Sequence, residues 1–243
     1  MGKIFLLTRR EVASYFVSPI AYVAMALYLV ISGLIFGRFD FHSGAPAAMR
    51  SIFDVMMIIL VFVVPIITMR TLSEERRSGT LETLLTAPVT DVQVVVAKFL
   101  GTWLFYLAML APTLVYVVLL GAFGRPDYGP IASGYLGLAL LGALYVAVGI
   151  FASSLTSHQM IAAVVGFVIL IMLALLGPWV STTLPSDWHG IPWRGIVQQA
   201  SVKSHYTDFS QGVVDATHVV YFLALALYAL FLTVKVLESR RWR

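Results

Sequence analysis

Apolar runs of about twenty residues recur six times along this chain of 243 residues, and few charges interrupt them. A helical run of that length matches the ~30 Å hydrocarbon thickness of a bilayer. No water satisfies backbone N–H and C=O groups in lipid, so only helices and closed barrels span it. The runs are continuous rather than alternating in period two, which selects helices over a barrel. Charged residues make up 12% of the chain and hydrophobic residues 60%, whereas soluble domains carry about 25% charged residues. The fold class read from this is an all-α membrane protein forming a single domain over residues 1–243. The chain has no cysteine, which excludes disulfides, thiolate metal sites and iron–sulfur clusters.

Residues 1–16 place Lys3, Arg9, Arg10 and Glu11 among Ile4, Phe5, Val12, Tyr15 and Phe16 at roughly helical spacing. This predicts an amphipathic helix lying in the membrane interface. A signal-peptide n-region fits less well, because the apolar run that follows is longer than an h-region and no cleavage site ends it. Transmembrane helices are expected over about 20–39, 51–69, 92–123, 131–155, 160–180 and 213–236. Pro19 suits the first turn of the first span, and Pro112 marks a kink in the third. Ala139, Ala143 and Ala147, four apart, offer another helix a close approach. Asp54 lies in the first turn of the second span. It reads either as a transport carboxylate or as an interfacial residue, and its position favours the interface. Residues 181–212 form an outer loop with Trp188 and Trp193. Six spans put both termini on one side, and eleven of the sixteen Lys and Arg residues fall on that side. The positive-inside rule then places the termini, the segment around residues 73–88 and the turn at Ser157–Gln159 in the cytoplasm.

The segment 73–88 is the densest polar stretch, with Glu74, Glu75, Arg76, Arg77 and Glu82 charged within nine positions. Gly79 breaks the run. Thr80-Leu81-Glu82-Thr83-Leu84-Leu85 then reads as a short helix with Thr80 at its cap, ended by Ala87-Pro88. Leu81, Leu84 and Leu85 share one face. Two readings stand side by side: a surface helix offering its charges to a soluble partner, or a solvated loop whose arginines reach lipid headgroups. No Walker A loop, zinc-protease motif or nucleophile elbow occurs, and His42, His158, His189, His205 and His218 show no short metal-ligand spacing. His218, at the outer end of the last span, is the most noteworthy of them. Nothing in the sequence points to a catalytic site, a cofactor site or nucleic-acid binding.

The run Glu74-Glu75-Arg76-Arg77-Ser78-Gly79-Thr80-Leu81-Glu82-Thr83-Leu84-Leu85-Thr86-Ala87-Pro88, with Lys98-Phe99-Leu100-Gly101 after it, resembles the cytoplasmic loop of ABC-2 type transporter permeases. The gliding-motility (GldF-like) subgroup is the nearest in pattern. Ser18-Pro19-Ile20-Ala21-Tyr22, Pro65-Ile66-Ile67-Thr68-Met69-Arg70 and Phe151-Ala152-Ser153-Ser154-Leu155-Thr156 also resemble it. The resemblance covers most of residues 1–175 and fades across 181–212. It implies a type V exporter-like fold in the bacterial cytoplasmic (inner) membrane. Two such halves would pair as a homodimer or a related heterodimer. Each would dock an ATP-binding subunit, two copies per transporter, which binds the ATP and Mg that this chain does not. Residues 73–88 would hold the coupling helix, with Glu74, Glu75, Arg76, Arg77, Gly79, Thr80, Leu81, Glu82, Leu84 and Leu85 at the docking surface. Ser157, His158 and Gln159 would form a second, smaller contact. The resemblance also makes 181–212 a candidate for folding partly back into the membrane, and the gliding-type permeases imply an auxiliary extracytoplasmic membrane protein. The work done is then export, or force on an envelope assembly. An ion-gradient carrier would call for paired mid-membrane charges and an internal repeat, and neither is seen. A membrane-embedded enzyme would call for clustered acids, histidines or serines at matching depth, and a scaffold would have no ATPase partner.

Overall fold

The computed structural model describes residues 2–40, 49–79, 89–183 and 201–240. The described chain is helical, and the helices are α1 (Gly2–Val17), α2 (Pro19–Ile35), α3 (Arg50–Thr68), α4 (Ser73–Arg77), α5 (Asp91–Leu110), α6 (Leu114–Phe123), α7 (Tyr128–Leu155), α8 (Gln159–Thr183), α9 (Val202–Ser210) and α10 (Ala216–Arg240). A π-helical turn, Phe36–Asp40, extends α2. Among the described residues five helical stretches are long and apolar enough to cross a membrane: Pro19–Arg38, Arg50–Arg77, Asp91–Phe123, Tyr128–Leu155 and Ala216–Ser239. Gln159–Leu175 is a shorter apolar helix.

The prolines act as local chemistry requires. Pro19 sits at the start of α2, where its missing N–H costs nothing. Pro112 falls in a 3-10 turn, Ala111–Thr113, which joins α5 to α6 in place of a continuous α-helix. Pro65 lies inside α3, and the helix runs on to Thr68. Thr90 and Gln93 form a capping box at the start of α5, each side chain bonding the other residue's backbone N–H at 3.3 Å.

α7 is the hub. It packs against α10, α8, α3, α9, α5 and α4. Its glycines let these neighbours in: a Cβ at Gly142 would come within 2.0 Å of the Tyr106 ring, and Gly134, Gly137 and Gly149 are similarly crowded by Phe53, Phe209 and Thr68. Tyr106 fills this gap, fully buried, and donates its hydroxyl to the Leu138 carbonyl at 2.7 Å. Small residues therefore set α7 packing, as the alanine spacing suggested, but the closest approaches are made at glycines.

The loop expected over 181–212 is corrected at both ends. α8 continues to Thr183, and Val202–Ser210 is a helix whose Val202, Tyr206 and Phe209 are fully buried. α9 lies along the first turns of α7, where the Ser133 hydroxyl donates to the Phe209 carbonyl at 2.7 Å. Residues 184–200 lie outside the described residues.

Gly142→Ala is expected to force apart α5 and α7 and to cost roughly 1–3 kcal/mol, as overpacking does. Thermal unfolding of the purified protein in detergent reads this out; an unchanged melting temperature would show that the Tyr106 ring yields freely.

Candidate functional site

α3 ends at Thr68, and the chain turns through Met69–Leu72 into α4. A turn here leaves backbone groups unpaired at the edge of an apolar bundle, and α7 supplies their partners. The buried Ser153 hydroxyl accepts from the N–H groups of Leu72 and Ser73, each at 3.1 Å, and its oxygen lies 3.1 Å from the Met69 carbonyl, to which it donates. Ser73 also donates its hydroxyl to the Met69 carbonyl. Arg76 donates to the Ser154 carbonyl at 2.7 Å. α4 is thereby fastened to the last turn of α7.

A second fastening comes from Lys98 on α5. Its ammonium lies 2.7 Å from a Glu75 oxygen and 3.0 Å from a Glu11 oxygen on α1. The lysine side chain is 4% exposed, while the two carboxylates keep about a fifth of their surface, 22% and 20%. One cation thus joins three elements distant in sequence. Beside it, α1 lies close enough to α5 that a Cβ at Gly101 would meet Glu11 Cβ at 2.6 Å. The Tyr15 hydroxyl lies 3.0 Å from Thr102 and 3.4 Å from Thr71. Both threonines direct their own hydroxyl hydrogens to backbone carbonyls, at Lys98 and Thr68, so Tyr15 is the donor in this group. Burial pushes the Tyr15 pKa up against the pull of the neighbouring Thr102 and Thr71 hydroxyls, which keeps the proton in place.

The residues expected to dock a partner therefore divide. Glu75 and Arg76 are half-buried and turned to the chain's own helices. Glu74, Arg77, Ser78 and Gly79 are exposed. Gly79 has φ +73°, the left-handed conformation that closes a helix end, and its N–H bonds the Arg76 carbonyl at 3.4 Å. The described helix is Ser73–Arg77, earlier than the helix expected from Thr80; Thr80, Leu81, Glu82, Leu84 and Leu85 lie outside the described residues. Ser157 and His158 lie in the turn between α7 and α8 and Gln159 opens α8, with His158 exposed. α4 packs against both α7 and α8, so both expected contact regions meet at one end of the bundle.

Sequence reading missed Lys98 as the counter-ion and Ser153 as the staple, although both stand in the quoted runs. Their partners are 23 to 87 residues away, beyond any local pattern. It also missed a pairing at the other end, where His205 and His218 approach to 2.6 Å between Nδ1 atoms and His218 Nε2 lies 2.9 Å from Asp208. No group of three His, Cys, Asp or Glu residues is placed to hold a metal ion among the described residues.

Membrane-length helices around a glycine-lined hub, with a short charged helix sealed to their ends, define a multi-pass membrane protein. The chain belongs to the ABC-2 family of transporter proteins, whose family model matches residues 42–195. It is 28% identical over 152 residues to the "Probable multidrug ABC transporter permease YbhR" of Escherichia coli strain K12, an alignment covering 62% of this chain and 39% of that one. The protein of the same name from Escherichia coli O157:H7 gives the same figures. The chain thus matches well under half the length of these curated relatives.

Lys98→Met is expected to leave Glu11 and Glu75 without the ammonium that both carboxylates meet. The cost should be roughly 1–3 kcal/mol, below the ~3–5 of a fully buried broken pair because both carboxylates keep some solvent. Adding Glu75→Gln should recover part of it. A double-mutant cycle in thermal unfolding checks this, and simple additivity would mean the three charges do not act together.

Proposed function

We propose that this chain is the membrane-spanning permease subunit of an ATP-binding cassette transporter, and that α4 with the residues after it docks a separate ATP-binding subunit. The observation that carries the reading is the division within α4. Glu75, Arg76 and the serines of α7 hold the segment against the spans, while Glu74 and Arg77 face outward. A docking element needs both properties: free charges for the partner, and a stiff attachment that passes the partner's movement to the bundle. Thr80, Leu81, Glu82, Leu84 and Leu85 complete the docking surface in this proposal, and Ser157, His158 and Gln159 add the smaller contact.

In this reading ATP and Mg bind in the partner, of which two copies serve two permease halves paired as a homodimer or a related heterodimer. α8 is the remaining span of six, α1 lies in the interface, and both termini face the cytoplasm of a bacterial inner membrane. The work is export, a reading compatible with the multidrug transporter permease named in the YbhR relative, or force on an envelope assembly with an auxiliary membrane protein, as the gliding-type pattern suggests.

Affinity purification from solubilised native membranes, with mass spectrometry of co-eluting proteins, tests the class. A stoichiometric ATP-binding subunit is expected. Glu74→Lys with Arg77→Glu should reduce its recovery at least about tenfold, in line with two charge-assisted contacts, while the permease still inserts. Full recovery of the ATPase with the double variant would sink the assignment of α4.

A further inference from the structure

An open groove of about 680 Å³ lies between α1 and α5, a volume within the range of small-ligand sites. Phe5 and Val12 of α1, with Leu100 and Leu104 of α5, give it apolar walls. Thr8 and Arg9 are the polar members of its lining. The Thr8 hydroxyl already donates to the Ala97 carbonyl, at 3.5 Å. Arg9 is exposed and makes no ion pair among the described residues. No carboxylate lines the groove among those residues, and the one acid of α1, Glu11, meets Lys98 at 3.0 Å. The groove therefore offers a single unopposed guanidinium beside a long apolar wall. That pattern fits an amphiphile with an anionic head and one tail in the groove.

The level of the groove says which amphiphile. Thr8 bonds Ala97, a Cβ at Gly101 would meet Glu11, and Tyr15 lies 3.0 Å from Thr102. α1 and α5 thus run side by side in the same direction, with Arg9 about level with Lys98 and Leu104 some two turns further on. The apolar stretch Asp91–Phe123 has 33 residues, about 50 Å at 1.5 Å per residue and ~20 Å more than the hydrocarbon core needs. Its two charges, Asp91 and Lys98, fall in its first eight residues, so the surplus belongs at that end. Arg9 and Lys98 then sit among headgroups, and Leu104 reaches the edge of the hydrocarbon. Along α1, Phe5, Leu6 and Val17 are 69%, 64% and 82% exposed, a surface suited to lipid rather than water.

We propose that this groove holds one anionic phospholipid of the phosphatidylglycerol type, its phosphate against Arg9 and one acyl chain lying between α1 and α5 toward Leu104. A net negative head is favoured because the lining carries a positive charge and no acid to receive an ammonium. The site rests on the reading of α1 as an interfacial helix and is independent of ATPase docking. Its lipid would brace α1 beside the Lys98 cluster that also holds α4.

The test uses the full chain in nanodiscs of mixed phosphatidylethanolamine and phosphatidylglycerol. Native mass spectrometry should find one phosphatidylglycerol retained per chain after the bulk lipid is stripped. Arg9→Gln should lower that retention by about tenfold or more, the usual effect of losing a charged hydrogen-bond partner. Arg10→Gln, next along the helix and outside the lining, should leave it unchanged. Excess glycerol phosphate, an anionic head without a tail, should not displace the lipid; this comparison needs no variant. Retention of the two lipids in bulk proportion, equal loss in both variants, or displacement by glycerol phosphate would overturn the proposal. The depth of α1 is read separately. The chain has no cysteine, so a nitroxide on Leu6→Cys reports one position, and its collision rates with oxygen and with a polar quencher should place it at the interface. An interfacial label without selective retention would overturn the lipid site alone, and a label at the aqueous level would overturn the interfacial helix and the site together.

Discussion

Every bend in a chain that lives in lipid exposes peptide groups that no water will meet, and this fold is shaped by where it finds their partners. The bend after α3 is the clearest case. The hydroxyl of Ser153 serves the two N–H groups of Leu72 and Ser73 and the carbonyl of Met69. An alanine there would keep the packing and leave the Leu72 and Ser73 N–H groups without this acceptor, each at about 1–3 kcal/mol. Capping residues do the same elsewhere: Thr90 and Gln93 open α5, and Asp127 opens α7. The 3-10 turn at Pro112 is eased by the Thr113 hydroxyl, which donates to Leu110 at 2.7 Å.

Charge is handled in the same economical way. Lys98 is almost wholly buried, yet two carboxylates from different helices meet it. Such a cluster adds little net stability, because desolvation opposes attraction. Its effect is on geometry, since α1, α4 and α5 must keep one arrangement for the lysine to remain paired. The outward charges Glu74 and Arg77 are left for other work by the same arrangement.

The helical class and most of the helix limits were legible in the residues, because apolar length and proline position act locally. Ile20, Val92 and Met160 fall within two residues of helix starts. The sequence reading of α9 as loop had a physical cause: Lys203, Ser204, His205, Thr207 and Asp208 make it polar on average, and only tertiary contacts bury Val202, Tyr206 and Phe209 together. The candidate site was legible as a charged segment but not as a divided one. Which of four consecutive charges faces inward depends on Lys98 and Ser154, and sequence spacing carries no information about either contact. The same holds for His205 and His218, whose pairing comes from the way α9 folds back beside α10.

α7 is held near both ends, by Ser153 and Ser154 to α4 and by Ser133 to α9. These attachments lie about twenty residues apart on one unbroken helix, roughly 30 Å at 1.5 Å per residue. A regular helix is stiff along its axis, so the two anchorages form a strut of fixed length. Displacement of one end along that axis appears at the other undiminished, and what remains free is rotation about the strut and tilt against its neighbours. The glycines along α7 then act as notches that seat Phe53, Tyr106 and Thr68 against the strut, and at Tyr106 the bond to the Leu138 carbonyl ties the seat as well.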